Sequence, residues 1–174
     1  STIVYATTEP GEALLLGGHT AVMYEGKLLQ YGPTNEVFQR PMNVQVATAF
    51  SDPPMNVLSA TSTDGVLDLG SAITIRIAQY NEASGPVSVG LRANAVTLDQ
   101  GTDGVAVAAR VELSEISGSD TFIHLSTALG PLVAQVSGVQ NMQLGSQTNV
   151  YLQPNRTFVF DKAGNLSHAP HNNA

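Results

Sequence analysis

The string Glu25-Gly26-Lys27-Leu28-Leu29-Gln30-Tyr31-Gly32 decides how the front of this chain folds. An extended apolar segment, Thr20 to Tyr24, runs into Glu25-Gly26, where glycine supplies the positive φ that a tight hairpin turn needs. A second extended segment, Lys27 to Tyr31, runs out of it. Working outward, Thr2 to Thr8 reads as a buried strand, being short, β-branched and aromatic. Glu9-Pro10 then opens a short helix with proline in its first turn, Ala13 to Leu16 as its apolar face and Gly17-Gly18 as its stop. On the other side Thr34 reads as an N-cap, Glu36-Val37-Phe38 starts a helix closed before Pro41, and Val44 to Phe50 is a further run. That run ends in Ser51-Asp52-Pro53-Pro54-Met55-Asn56.

Beyond Asp52-Pro53-Pro54 the helical pattern disappears. Asp64-Gly65 separates Val57 to Thr61 from Val66 to Leu69, and Ile73, Ile75 and Ile77 alternate with polar residues. Val105, Val107, Ala109, Val111 and Leu113 form the clearest period-two face, with Arg110, Glu112 and Ser114 opposite. Pro86 to Leu91, Thr121 to Ser126, Leu132 to Val136, Asn149 to Leu152, Phe158 to Phe160 and Leu166 complete the set. About nine or ten short strands without a long helix imply a closed or nearly closed barrel. The polar tail from Ser167 to Ala174 is expected to fray.

Composition narrows the functional classes. In 174 residues, 43% apolar content suffices for a packed core, and 12% charged residues argue against disorder. A net charge of −7 withholds the basic footprint that a phosphate backbone requires. With 6% aromatics and no tryptophan, a base-stacking platform is missing too, so nucleic acid is excluded as a partner. Absence of cysteine rules out disulfides and thiolate metal sites. No apolar run approaches the roughly 18 residues of a membrane-spanning helix. The chain opens on strand-like Thr2-Ile3-Val4-Tyr5 with neither a basic leader nor a signal region, and is read as a soluble fragment of a longer chain.

Thr7-Thr8-Glu9, Glu12-Ala13, Glu25-Gly26, Gln30, Gly32, Glu36-Val37-Phe38, Pro41 and Ser51 to Asn56 keep an order and spacing that resemble a known family. It is the ATPase subunits of carbohydrate- and polyol-importing ABC transporters, of the maltose and glycerol-phosphate type. Weaker matches continue through Gly90-Leu91-Arg92, Val111-Glu112-Leu113 to Gly118, and Phe160-Asp161 with Gly164. Ala93 and Asn94 depart from that family's pattern, which has Pro and Glu there. The resemblance implies a mainly β chain: an OB-like β-barrel regulatory and dimerisation domain over residues 52–174, preceded over residues 1–51 by an α/β remnant of the ABC nucleotide-binding domain. The sheet this remnant would complete lies upstream, so it is expected to pack on the barrel, swap between chains or stay partly disordered.

The same resemblance assigns the functional context. The parent chain would use ATP and Mg to drive import of a sugar or polyol, and the Thr7-Thr8-Glu9-Pro10 form resembles a glycerol-linked branch. Its partners would be a second ATPase subunit, in a homo- or heterodimer, and membrane permease subunits, with the protein cytoplasmic and peripheral to the inner membrane. The fragment contains no phosphate-binding loop of the G-x-x-x-x-G-K-[ST] form, and alone should neither bind nor split ATP. Thr8 stands where the resembling enzymes carry a histidine that contacts the γ-phosphate and helps orient the attacking water. Threonine can hydrogen-bond a phosphate oxygen but lacks the reach and charge of an imidazole. A degenerate site paired with a competent one, a water positioned by another group, and a Thr8 that merely ends a strand and caps a helix all remain open. No metal site is expected: His168 and His171 could share an ion, but Ser-His-Ala-Pro-His reads as a solvated tail. A stand-alone oxyanion-binding β-barrel is the alternative function, and an independent enzyme has no catalytic constellation to support it.

Overall fold

The computed structural model describes residues 2–78, 80 and 84–171. Its front third holds a helix, a hairpin and two more helices: α1 (Pro10–Leu16), β1 (His19–Tyr24), β2 (Lys27–Pro33), α2 (Thr34–Gln39) and α3 (Val44–Ala49). β1 and β2 pair antiparallel, and the turn residues Glu25 and Gly26 both take left-handed φ, 48° and 74°. Two positive φ values in a two-residue loop match the right-handed twist of the flanking strands. α1 begins at Pro10 and ends where Gly17 turns to φ 65°, its N–H donating to the Ala13 carbonyl.

Two expectations for this segment need correction. Thr2 to Thr8 forms no strand and lies exposed, Ile3 at 87% and Val4 at 92%. A strand is stable only when neighbours take up its backbone N–H and C=O groups, and none of the described strands pairs with it. Thr34 does not cap α2 either; Pro33 occupies that position. The Thr34 hydroxyl instead bonds to the Gly17 carbonyl at 3.0 Å and lies 2.8 Å from the Thr20 hydroxyl, tying the end of α1 to the start of α2. Val22, Val37, Val46 and Phe50 close a small core beneath these pieces.

The remainder is β3 (Asn56–Thr63), β4 (Val66–Gly70), β5 (Ile73–Arg76), β6 (Gly85–Leu91), β7 (Val96–Thr97), β8 (Val105–Ser117), β9 (Asp120–Thr127), β10 (Gly130–Ser137), β11 (Gln147–Leu152), β12 (Thr157–Phe160) and β13 (Leu166–His168). They form two sheets, ordered β13-β12-β6-β3-β4-β5 and β10-β9-β8-β11-β7. Both sheets turn their apolar faces onto one core that includes Leu67, Ile75, Val89, Val107, Val111, Ile123, Leu132 and Leu152, and together they make a nearly closed barrel. The alternation along β8 buries Val107, Ala109 and Val111 as expected, yet Leu113 is 42% exposed. A β-bulge between Val111 and Leu113 shifts the register by one residue, and a one-residue slip reverses every side chain beyond it. The chain's end is also more ordered than a frayed tail. β13 pairs with β12 through His168, and residues 167–170 are half-buried; residues 172–174 lie outside the described set.

Candidate functional site

Residues that the sequence separates widely meet where the front third docks on the barrel. Gly90 and Arg92 come from the end of β6, Ser51 from the end of α3, Met55 and Asn56 from the entry to β3, and Phe158 and Phe160 from β12. Ala47, Met55, Phe158 and Phe160 are buried together. A Cβ placed on Gly90 would lie 2.6 Å from Met55 Sδ and 2.8 Å from Phe160 Cε2. Only glycine lets both side chains approach the β6 backbone so closely.

Arg92 is the cation of this junction. Its guanidinium carbon sits 3.6 Å from the Phe38 ring centroid and 4.9 Å from that of Phe158. Nε donates to Ser51 Oγ at 3.2 Å and Nη2 to the Phe38 carbonyl at 2.7 Å. Burial lowers the pKa of Arg92 to about 10, which leaves it charged at neutral pH. One side chain thus grips the ends of α2 and α3 and a barrel aromatic at once.

Asn56 does a similar job within the barrel. Its Oδ1 accepts from Val133 N at 2.7 Å, and its Nδ2 donates to Val133 O at 2.9 Å and to Leu91 O at 3.1 Å. Val133 belongs to β10, the edge of the five-stranded sheet, while Asn56 starts β3 of the six-stranded sheet. The amide therefore supplies a rung of β-ladder across a seam that no pairing among the described strands spans.

Two smaller ties complete the junction. Gln30 accepts from Met42 N at 2.8 Å and donates to Arg40 O at 3.2 Å, fixing the loop around Pro41. The β12–β13 turn reaches back to it: Val44 N donates to Gly164 O and Leu166 N to Met42 O, both at 2.9 Å. Asp161 holds that turn by accepting from Asn165 N at 2.9 Å, and these hydrogen bonds keep its carboxyl below the usual range.

Thr8 stands apart from all of this. It occupies an exposed bend and neither ends a strand nor caps α1, whose N-cap residue is Glu9 without a side-chain bond. The neighbouring Thr7 forms the local contacts, donating to the Glu12 carboxylate and accepting from Glu9 N at 2.9 Å. Tyr5 also donates to Glu12, at 3.2 Å; that hydrogen bond and the Glu12 charge raise the pKa of its hydroxyl. His168 is half-buried in β13, its ring edge-on to Tyr80 at 5.9 Å, with the His171 ring 6.1 Å away. That placement replaces the solvated tail expected for His168. Among the described residues no group of three or more His, Asp or Glu is placed to hold a metal ion.

Residues 89–160, from β6 through β12, match the TOBE domain family. The sn-glycerol-3-phosphate import ATP-binding protein UgpC of Rhizobium meliloti (strain 1021) is 30% identical over 94% of this chain and 46% of its own length. The protein of the same name from Ruegeria pomeroyi is 35% identical over 71% of this chain and 34% of its own. The chain is a relative of the ATP-binding subunits of ABC importers. Its TOBE domain carries Gly90, Arg92, Phe158 and Phe160, the barrel side of the junction. The chain spans about half the length of the curated importer subunits it matches. Among solved structures, a cytoplasmic molybdate-binding protein, ModG, is similar with a TM-score of 0.46 and 12% identity, covering 60% of this chain and 94% of that one. Among the described residues no helix is long and apolar enough to cross a membrane.

The junction of this importer-subunit relative was only partly foreseeable. Gln30, Ser51, Asn56, Gly90 and Arg92 stood out by their spacing, but not for what they touch. Arg92 did carry a signal, as the single Lys or Arg between Arg76 and Arg110. Its acceptors lie 41 and 54 residues away, and no local pattern names them.

Proposed function

We propose that this chain is the C-terminal regulatory and dimerisation part of an importer ATP-binding subunit, one that couples ATP hydrolysis to uptake of a sugar or a glycerol-like polyol. The observation that carries the reading is a match running through almost the whole chain, front third and barrel alike, to sn-glycerol-3-phosphate import ATP-binding proteins. Residues 1–51 act as the last portion of the nucleotide-binding domain and residues 52–174 as the regulatory barrel. ATP and Mg²⁺ belong to residues outside this chain, since nothing in it forms a phosphate-binding loop. Within the assembly Thr8 takes the γ-phosphate-side position, where its hydroxyl offers a hydrogen bond but no positive charge. The barrel pairs two ATP-binding subunits, and the front third relays their opening and closing to permease subunits at the cytoplasmic face of the inner membrane.

Exposed apolar residues support the reading of the front third. Ile3, Val4, Tyr5, Leu15, Leu16, Met23, Leu28 and Tyr31 are each more than half exposed. A concentration of this kind marks a surface that another body covers. The deciding test is to sequence the coding DNA ahead of Ser1. A continuous frame with a phosphate-binding loop and the ABC signature is expected; a start codon at Ser1 would end the transporter reading. With the whole polypeptide in hand, Thr8→His should raise ATP hydrolysis. An unchanged rate would remove Thr8 from the catalytic position.

A further inference from the structure

One feature of the junction lies outside the transporter reading. Arg92 lines a cleft of about 220 Å³ between α1 and the barrel, together with Pro10, Gly11, Asp52, Asn94 and Gln135. A guanidinium carries five N–H donors. Nε and Nη2 each have a protein acceptor, and Nη1 has none among the described residues. Nor does any described carboxylate come within 4.0 Å of the guanidinium, whereas Arg110 has the Glu112 carboxylate at 3.9 Å. Partly buried cations are ordinarily matched by an anion, because desolvation penalises a lone charge. Phe38 and Phe158 cover the cation from the ring side. What remains open are in-plane donors, the geometry that phosphate and carboxylate oxygens fit.

We propose that this cleft binds a small oxyanion, a phosphate or a carboxylate group, held by Arg92 between α1 and the barrel. Its volume falls below the about 300–1,000 Å³ typical of drug-sized pockets, so a fragment-sized anion is the fitting class. Asn94 and Gln135 add polar side chains at its rim. Asp52 is the opposing charge. The net charge of −7 likewise works against anions at long range, so the site acts through short, directed hydrogen bonds. An anion seated there would touch both the α1 side and the barrel and so brace one against the other. The site stands or falls independently of the transporter reading, because it requires only residues of this chain.

The test titrates the full chain with inorganic phosphate and, separately, with acetate, at an ionic strength held constant with chloride. NMR follows the Arg92 Nε–H and the Gln135 side-chain amide. A saturating shift of both signals is expected, with a midpoint of ~1 mM. Tighter phosphate binding identifies a phosphoryl ligand, and tighter acetate binding a carboxylate. Asn94→Asp should weaken binding about tenfold by placing a like charge at the rim, and Asp52→Asn should tighten it about threefold. Asn94 is exposed, and it holds Arg156 through its backbone carbonyl, so Asn94→Asp should leave the melting temperature unmoved. Arg92→Gln should abolish binding; it also loosens the junction, which is why the rim variants carry the decision. Shifts that stay linear in both anions, or that neither rim variant alters, overturn the proposal.

Discussion

Replacing Asn56 by alanine should cost far more than its polar character implies. The side chain is 8% exposed and makes three hydrogen bonds, two to Val133 and one to Leu91. Each is worth about 0.5–1.5 kcal/mol net, and a buried partner left unsatisfied costs about 1–3 kcal/mol. Leu91 O keeps its strand neighbours, so the main loss falls on Val133 N–H and C=O at the edge of β10. A destabilisation of about 3 kcal/mol follows, equivalent to a fall of roughly 6–12 °C in melting temperature for a chain of this size. Urea unfolding monitored by circular dichroism measures it directly. Asn56→Asp sharpens the test. Its carboxylate can still accept from Val133 N, but it faces the carbonyls of Val133 and Leu91 with no donor. Burial and those carbonyls would raise its folded pKa above the unfolded value of about 3.9. A raised pKa contributes stability below the unfolded value and loses it as pH rises through the folded one. Asn56→Asp should therefore be worse than Asn56→Ala at pH 7 and recover relative to it near pH 4. An alanine variant within about 1 kcal/mol of the parent would show that the sheets hold their seam without this amide.

Three further outcomes test the rest of the junction. Gly90→Ala should destabilise by about 1–3 kcal/mol, because its Cβ would collide with Met55 and Phe160; a thermal melt equal to the parent's would mean the cluster yields freely. Asp161→Ala should loosen the β12–β13 turn, read as faster amide exchange at Asn165. The Asp161 carboxyl is held below its ordinary pKa by its bonds to Asn165, so its contribution is present above about pH 4 and lost as pH falls through the lower folded value. Gln30→Ala removes the contacts to Arg40 and Met42, and should speed proteolysis between those residues while leaving the barrel's melting transition in place.

Much of the fold was legible because its signals are local. Glu25-Gly26 and Asp64-Gly65 announce their hairpins through the positive φ both turn residues adopt. Alternation marks β5 and β8 because one face of each is buried. Where the reading failed, the decisive partner was distant or missing. Thr2 to Thr8 has strand-forming residues, but β-propensity measures fit to neighbouring strands rather than a backbone preference. Leu113 continues a period of two that a bulge interrupts, and a bulge leaves no composition signal there. Thr34 looks like a cap from its neighbours, yet its hydroxyl bonds to Gly17, 17 residues away. Asn56 and Arg92 follow the same rule, since Val133 lies 77 residues from Asn56.

The junction also bears on where the chain divides. A boundary at residues 51/52 follows the change from helical to strand pattern, but packing does not stop there. Ala47 of α3 is buried with Phe158 and Phe160 of the barrel, and Arg92 holds the carbonyl of Phe38 and the hydroxyl of Ser51. The β12–β13 turn bonds directly to Met42 and Val44. On the other hand Val22, Val37, Val46 and Phe50 form a core of their own, and the apolar residues of α1 and the β1–β2 hairpin remain largely exposed. The front third is thus joined to the barrel through α2, α3 and the loop around Pro41, while α1 and the hairpin carry most of its exposed apolar surface. In the proposed role, this joint is the route by which a change in a neighbouring nucleotide-binding domain would reach the barrel, through the Phe38 carbonyl, the Ser51 hydroxyl and Ala47.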